Sequence, residues 1–188
     1  LRKYWDEYSY PFHKQGDGPL HKGQDAGAYN QNQDRLAVEF VRRWYDLWRE
    51  RPGTGRRVNS GGAKIVFSDT HGRGAENYRR SGVVDPLRIP KDGFFAHKVM
   101  WDGWVDVENY HTHIIGHWNY TPDVRKPVYV VSSGDAVELF VNGKSKGFGR
   151  QDYRFLFTFD SVQWEKGTIE AISYDEQHKE LSRHSLNG

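Results

Sequence analysis

The 188-residue sequence contains no cysteine, so disulfide staples and thiolate metal sites are excluded. This absence leaves the redox compartment open. No apolar run approaches the ~20 residues that a membrane-spanning helix requires, and no membrane partner is expected. Net charge is nearly absent too: 27 basic residues face 25 acidic ones, for a formal charge of +2. A nucleic-acid partner held by bulk charge is therefore not expected, although Arg56-Arg57 and Arg79-Arg80 form local pairs. The chain starts at Leu1 with charged and aromatic residues and no signal-peptide pattern, which leaves localisation undecided. There is no internal repeat and no low-complexity array.

What the chain has instead is aromatic surface. Seven Trp, eleven Tyr and ten Phe make up 15% of it, so rings do most of the apolar burial. The hydrophobic share of 36% suits folded structure, in one domain or two small ones. Residues 1–33 are rich in Gly, Gln, Asn, Asp and His without periodicity, which reads as a long loop. Trp5, His13 and Tyr29 are its candidate ligand-facing rings, or the rings that pack the loop on itself. Asp34 then caps a predicted helix whose stripe is Leu36, Ala37, Phe40, Val41, Trp44, Leu47 and Trp48. Arg49-Glu50-Arg51-Pro52-Gly53 breaks it.

Ala63 to Phe67 reads as a short buried strand and residues 68–90 as a polar loop. A helix follows, with Pro90 in its first turn and Phe94, Phe95, Val99 and Met100 on its apolar side. It is expected to end near Trp101-Asp102-Gly103. Strand, Gly-rich loop and helix in this order form one β/α unit of a barrel, and barrel sites lie where strands end. From about Tyr110 the period changes to two. The predicted strands are His113–Ile115, Val128–Val131, Val137–Val141, Phe155–Phe159 and Ile169–Tyr174. Asn142-Gly143 is a strong hairpin signal, with KSKG at its solvated tip. Alternating Phe155, Phe157 and Phe159 mark one buried sheet face. Such spacing predicts a small antiparallel sandwich.

The stretch Gly61 to Trp104, GGAKIVFSDTHGRGAENYRRSGVVDPLRIPKDGFFAHKVMWDGW, resembles the last β/α unit of the catalytic barrel in glycoside hydrolase family 2, the β-galactosidase-like enzymes. HIIGHWNY, VYVVSSGDAVELFVNGKSKG and GTIEAISYD are similar to the immunoglobulin-like domain that follows that barrel. The resemblance implies an α/β plus all-β chain. Residues 1–108 would be the C-terminal part of a (β/α)8 barrel and residues 109–188 an immunoglobulin-like sandwich. It implies a retaining mechanism in which two carboxyl groups stand about 5–5.5 Å apart. Both glutamates would lie upstream of Leu1, so no catalytic residue is expected in this chain, and Glu76 reads as an ion-pair partner of nearby arginines.

The residues left for substrate are Asp69, His71 and Arg73, which follow the strand, and Trp101. Asp69 and His71 could hydrogen-bond sugar hydroxyls, and Arg73 could pair with an acidic substituent. The structural alternative has Asp69 capping its own loop and Arg73 in a surface ion pair. Trp101 and Trp104 either line a sugar site or fill the barrel–sandwich seam. Arg73, Arg79 and Arg80 allow an acidic or sulfated glycan. His111, His113 and His117 invite a metal reading, but the resemblance makes His113, His117 and Trp118 packing residues at the domain junction. No metal and no cofactor is called for. The implied partners are an oligo- or polysaccharide substrate and the remaining N-terminal domains of the same enzyme. The implied location is periplasmic or extracellular. A second reading is a non-catalytic carbohydrate-binding or domain-interaction module.

Overall fold

The computed structural model describes residues 37–38, 41–42, 67–71, 78–79 and 82–188. The chain divides into two compact units, Leu1–Phe94 and Phe95–Gly188.

In the first unit Ala37, Val38, Val41 and Arg42 are helical, and the three apolar ones are buried. The remainder of the predicted Asp34 helix and the 1–33 loop lie outside the described residues, as does the Ala63–Phe67 strand except for Phe67. Phe67 is a bend and exposed. Local pairing occurs among the described residues of the predicted polar loop that follows. Thr70–His71 (β1) pairs antiparallel with Tyr78–Arg79 (β2), and Ser68 bridges Val84 in parallel. Pro90 bridges Val84, so it precedes the helix rather than sitting in its first turn. The helix α1 runs Asp92–Val105, with acidic Asp92 at its positive end, and the division between units falls inside its first turn.

The second unit is a β-sandwich. Thr112–Ile114 (β3), Arg125–Ser132 (β4), Ala136–Val141 (β5), Lys144–Phe148 (β6), Arg150–Tyr153 (β7), Leu156–Gln163 (β8), Thr168–Tyr174 (β9) and Glu180–Asn187 (β10) form two four-stranded sheets. Their orders are β3-β4-β8-β7 and β10-β9-β5-β6, antiparallel throughout. Asn142 and Gly143 both take positive φ, 49° and 75°, the geometry that lets a two-residue turn follow the strand twist. KSKG is not the tip, as expected, but the start of β6.

Between the sheets pack Val128 and Val130 of β4, Val137, Leu139 and Val141 of β5, Phe157 and Phe159 of β8, and Ile169 and Ala171 of β9. Trp118 belongs to this core as well, not to a junction. Its indole N–H donates to Glu165 O at 3.0 Å, and that of Trp164 donates to Trp118 O at 3.2 Å, so neither buried donor is lost.

The Phe155–Phe159 alternation differs from expectation: Leu156 and Thr158, on the opposite face of β8, are buried too. Helix α1 explains why. Phe95 stacks on His113 at 4.2 Å between centroids, and a Cβ on Gly103 would come within 2.4 Å of the Phe155 ring. Phe95, Val99, Asp102 and Gly103 share one helical face, which lies on the outer side of the β3-β4-β8-β7 sheet. Gly103 therefore does not end the helix. It is the place where the helix approaches closely enough for a ring to take the room of a side chain, and α1 continues to Val105.

Where β3 and β10 meet, the sheets are joined without a ladder. Thr112 Oγ1 stands 3.0 Å from Ser132 Oγ and 2.6 Å from Ser182 Oγ, which lies 2.9 Å from Ser173 Oγ. Ile114 N donates to His184 Nδ1 at 3.0 Å. This hydroxyl chain satisfies polar groups that the closing edge would otherwise bury unpaired.

Candidate functional site

In the first unit the position of interest is Asp69, which lies between the Ser68 bridge and β1 and is 7% exposed. Its backbone N–H donates to Val84 O at 2.9 Å, while Val83 N donates to Phe67 O at 2.9 Å. Asp69 Oδ1 accepts from Gly82 N at 2.9 Å and from Lys91 Nζ at 3.1 Å, and Oδ2 from Lys91 Nζ at 3.0 Å. Gly82 is needed here because a Cβ would lie 2.4 Å from Asp69 N and 2.8 Å from Oδ1. Burial pushes the Asp69 carboxyl above its ordinary 3.8, and the Lys91 ammonium pulls back against that shift.

Next to this corner Asp85 shapes a turn. Its Oδ1 accepts from Leu87 N and Ile89 N, both at 2.8 Å, while Arg88 takes a left-handed φ of 71°. Leu87 and Ile89 are left exposed at its tip.

In the second unit Asp102 Oδ2 accepts from Lys98 Nζ at 2.9 Å, one turn earlier on α1. His111 Nε2 also lies 2.9 Å from Asp102 Oδ2, without the alignment of a hydrogen bond. Trp101 points the other way on α1 and is 62% exposed, with Val105 exposed one turn on.

The open edge of the sandwich carries a polar cleft of about 420 Å³. Arg125, Lys146, Phe148, Arg150, Asp160 and Ser161 are among the residues lining it. Arg150 donates to Asp160 through both terminal nitrogens and to Asp152 at 2.7 Å. Asp160 first and Asp152 second hold its guanidinium above the ordinary value. Lys146 Nζ lies 2.9 Å from Glu165 Oε1.

Residues 124–182 match the model of a domain of unknown function, DUF4982. Over 140 residues the chain is 41% identical to a β-glucuronidase of Formosa agariphila, which covers 72% of this chain and 14% of that protein. It is 34% identical over 93 residues to the β-galactosidase BoGH2A of Bacteroides ovatus, covering 49% of this chain and 10% of that one. The solved structure of a β-glucuronidase from glycoside hydrolase family 2 matches with a TM-score of 0.63 at 34% identity, over 80% of this chain and 16% of that one. The chain is homologous to family 2 glycoside hydrolases. It spans about one-sixth or less of the curated relatives it matches.

The residues expected to meet substrate are dispersed. Asp69 is buried and held by Lys91 and Gly82, while His71 sits in β1 opposite Tyr78. Trp101 belongs to the second unit. Arg73, Glu76 and Arg80 lie outside the described residues, as do Trp5, His13, Tyr29, Trp44 and Trp48 and the side chain of Trp104. The three histidines considered for metal engage separate partners. His111 meets Asp102, His113 lies between Phe95 and His184, and His117 stacks on Tyr120 at 4.4 Å. Among the described residues no cluster of three metal-ligating side chains occurs.

Sequence reasoning missed Lys91 as the partner of Asp69, 22 positions away, and missed the cleft at the open edge. The first had a weak signal, a lone Lys beside the helix start. The second had none, because its residues meet only through strand bulges.

Proposed function

We propose that this chain is part of a retaining family 2 glycoside hydrolase that cleaves terminal β-glycosidic bonds. In this reading residues 1–108 complete a (β/α)8 barrel and residues 109–188 form an immunoglobulin-like accessory domain. The two catalytic glutamates are supplied from outside these 188 residues, upstream of Leu1. The observation that carries the reading is the 41% identity over 140 residues to a β-glucuronidase. The sandwich supports it independently. Its sheet orders correspond to the A-B-E-D and G-F-C arrangement of immunoglobulin-like domains, with one strand added beside the third.

The sugar is better read as a β-glucuronide than as the β-galactoside first expected. The more identical of the two curated relatives reported above, and the family 2 structure, both bear that name. In the proposed site the corner at Asp69 forms part of the wall around the sugar. Its ion pair with Lys91 fixes where the following loop begins. His71 and Arg73 are the contacts proposed from that loop. Action on an oligo- or polysaccharide in the periplasm or outside the cell belongs to the same proposal.

The test is to assay the polypeptide that contains this segment on p-nitrophenyl β-glucuronide and p-nitrophenyl β-galactoside. Turnover of the glucuronide by that polypeptide, and of neither substrate by the isolated 188 residues, is expected. Hydrolysis of neither by the longer polypeptide would overturn the enzyme reading. Turnover by the isolated chain would overturn the assignment of the catalytic glutamates.

A further inference from the structure

The open edge of the sandwich is built unlike the closed one. At Gly149 the chain passes from β6 in one sheet to β7 in the other, and a Cβ there would meet the Phe159 ring at 2.8 Å. Two strands near this crossing, β6 and β8, are bulged. Between Glu138/Phe140 and their partners β6 holds one extra residue, and Gly147 takes a φ of 89°. Between Lys126/Val128 and their partners β8 also holds an extra residue, around Asp160-Ser161. Bulges bend a strand and re-aim its side chains. Here they turn Lys146, Phe148, Asp160 and Ser161 toward one cleft, whose volume of about 420 Å³ falls within the ~300–1,000 Å³ of ligand sites.

Three properties of the cleft define what fits it. Phe148 is 54% exposed, although it is a large apolar ring on an edge strand. Its contacts to Tyr174 and His178 are tilted or edge-on, at 6.1 and 6.3 Å between centroids. Arg125 is exposed and makes no ion pair among the described residues, whereas Lys146 and Arg150 are held by Glu165, Asp160 and Asp152. Asp160 and Ser161 place acceptor oxygens on the same wall.

We infer that this cleft binds an acidic oligosaccharide, one bearing uronate carboxylates. A sugar ring offers a C–H face to Phe148, hydroxyl donors to Asp160 and Ser161, and a carboxylate to the open guanidinium fork of Arg125. A nucleic acid fits less well, because it lacks hydroxyl donors in matching number for Asp160 and Ser161. The site belongs entirely to the unit Phe95–Gly188, so it stands or falls apart from the catalytic reading.

The test is a titration of the isotope-labelled 188-residue chain, followed by amide and arginine side-chain NMR. The probes are a tetrasaccharide alternating glucuronate with N-acetylglucosamine and, as the neutral counterpart, four linked N-acetylglucosamines. Shifts are expected at Arg125, Phe148 and Ser161, with the acidic sugar binding roughly tenfold tighter, as one added charged hydrogen bond implies. Phe148→Ala should weaken both sugars. Arg125→Gln should abolish the preference while leaving the neutral sugar bound, and both changes are exposed enough to leave the fold intact. The inference is overturned if the acidic sugar causes no shift up to about 10 mM, the limit of measurable weak binding. It is also overturned if the shifts lie elsewhere, if Arg125→Gln keeps the preference, or if a single-stranded DNA tetramer binds as tightly.

Discussion

At Asp69 the chain buries a carboxylate and holds it with Lys91 and the Gly82 amide, whereas between the sheets it buries aliphatic and aromatic side chains with few polar atoms among them. The two regions reach burial by different physics. A buried ion pair is directional and gains little net stability, yet removing one partner strands the other charge. An apolar core gains stability in proportion to area and tolerates changes of shape, but it loses stability with every cavity. The corner is therefore specific and brittle, while the sandwich is stable and forgiving. A loop that must begin at a defined place calls for the first kind of holding.

The largest effect expected is at the core. Phe157→Ala should cost about 3–5 kcal/mol, as deletion of a fully buried ring does, measured by urea unfolding read on sandwich amides. A loss below about 1 kcal/mol would mean that the core is not where the stability of this unit resides.

Next comes Asp69→Ala, expected to cost about 3 kcal/mol, toward the low end for a broken buried pair because Lys91 keeps 18% of its side chain in contact with solvent. The readout is hydrogen exchange at Gly82 and Lys91. Replacing both partners, Asp69→Leu with Lys91→Met, should recover most of the loss. If the double variant stays as unstable as the single one, the pair is more than a structural hold.

Gly103→Val should cost roughly 1–3 kcal/mol, because the new side chain must displace the Phe155 ring or the helix. Loss of the Phe95–His113 ring-current shift would report it, and an unchanged shift would separate α1 from the sheet. Thr112→Val should cost about 1 kcal/mol by breaking the hydroxyl chain at the closed edge. Amide exchange in β3 and β10 would check it.

The smallest effect is a pH dependence. Asp69 has a raised folded-state value, so between 3.8 and that value the folded chain holds a proton that the unfolded chain has released. Its contribution to stability therefore falls as pH rises through this window. Asp69→Asn should flatten that fall. If the wild-type and variant midpoints run parallel from pH 3 to 6, burial does not dominate at Asp69.

What could be read in the residues follows from how local each signal is. The hairpin at Asn142-Gly143 was legible because two consecutive positive-φ residues suit few other conformations. Strands β4, β5, β8 and β9 were legible because their cores are runs of Val, Ile, Leu and Phe. β10, ELSRHSLN, was missed since it is polar and lies at a sheet edge, where pairing rather than burial makes the strand. The helix end was misplaced at Gly103 because a glycine acts as a stop signal unless something occupies the space of its missing side chain. At the candidate site Asp69 was singled out for its expected position after a strand that, but for Phe67, lies outside the described residues, and its partner Lys91 was not legible.

By itself, then, the sequence determined the change of period near Tyr110, the antiparallel sandwich, the apolar face of α1 and the likeness to family 2 enzymes. Each of these depends on residues close together in the chain, where spacing alone sets which face a side chain occupies. Tertiary structure alone decided that Asp69 meets Lys91, that Phe155 fills the space beside Gly103, and that Arg125, Phe148 and Asp160 share one cleft. Those meetings span up to 52 positions in the case of Phe155 and Gly103. No local pattern encodes them, because they arise only when whole sheets and helices pack and bulges turn side chains out of alternation.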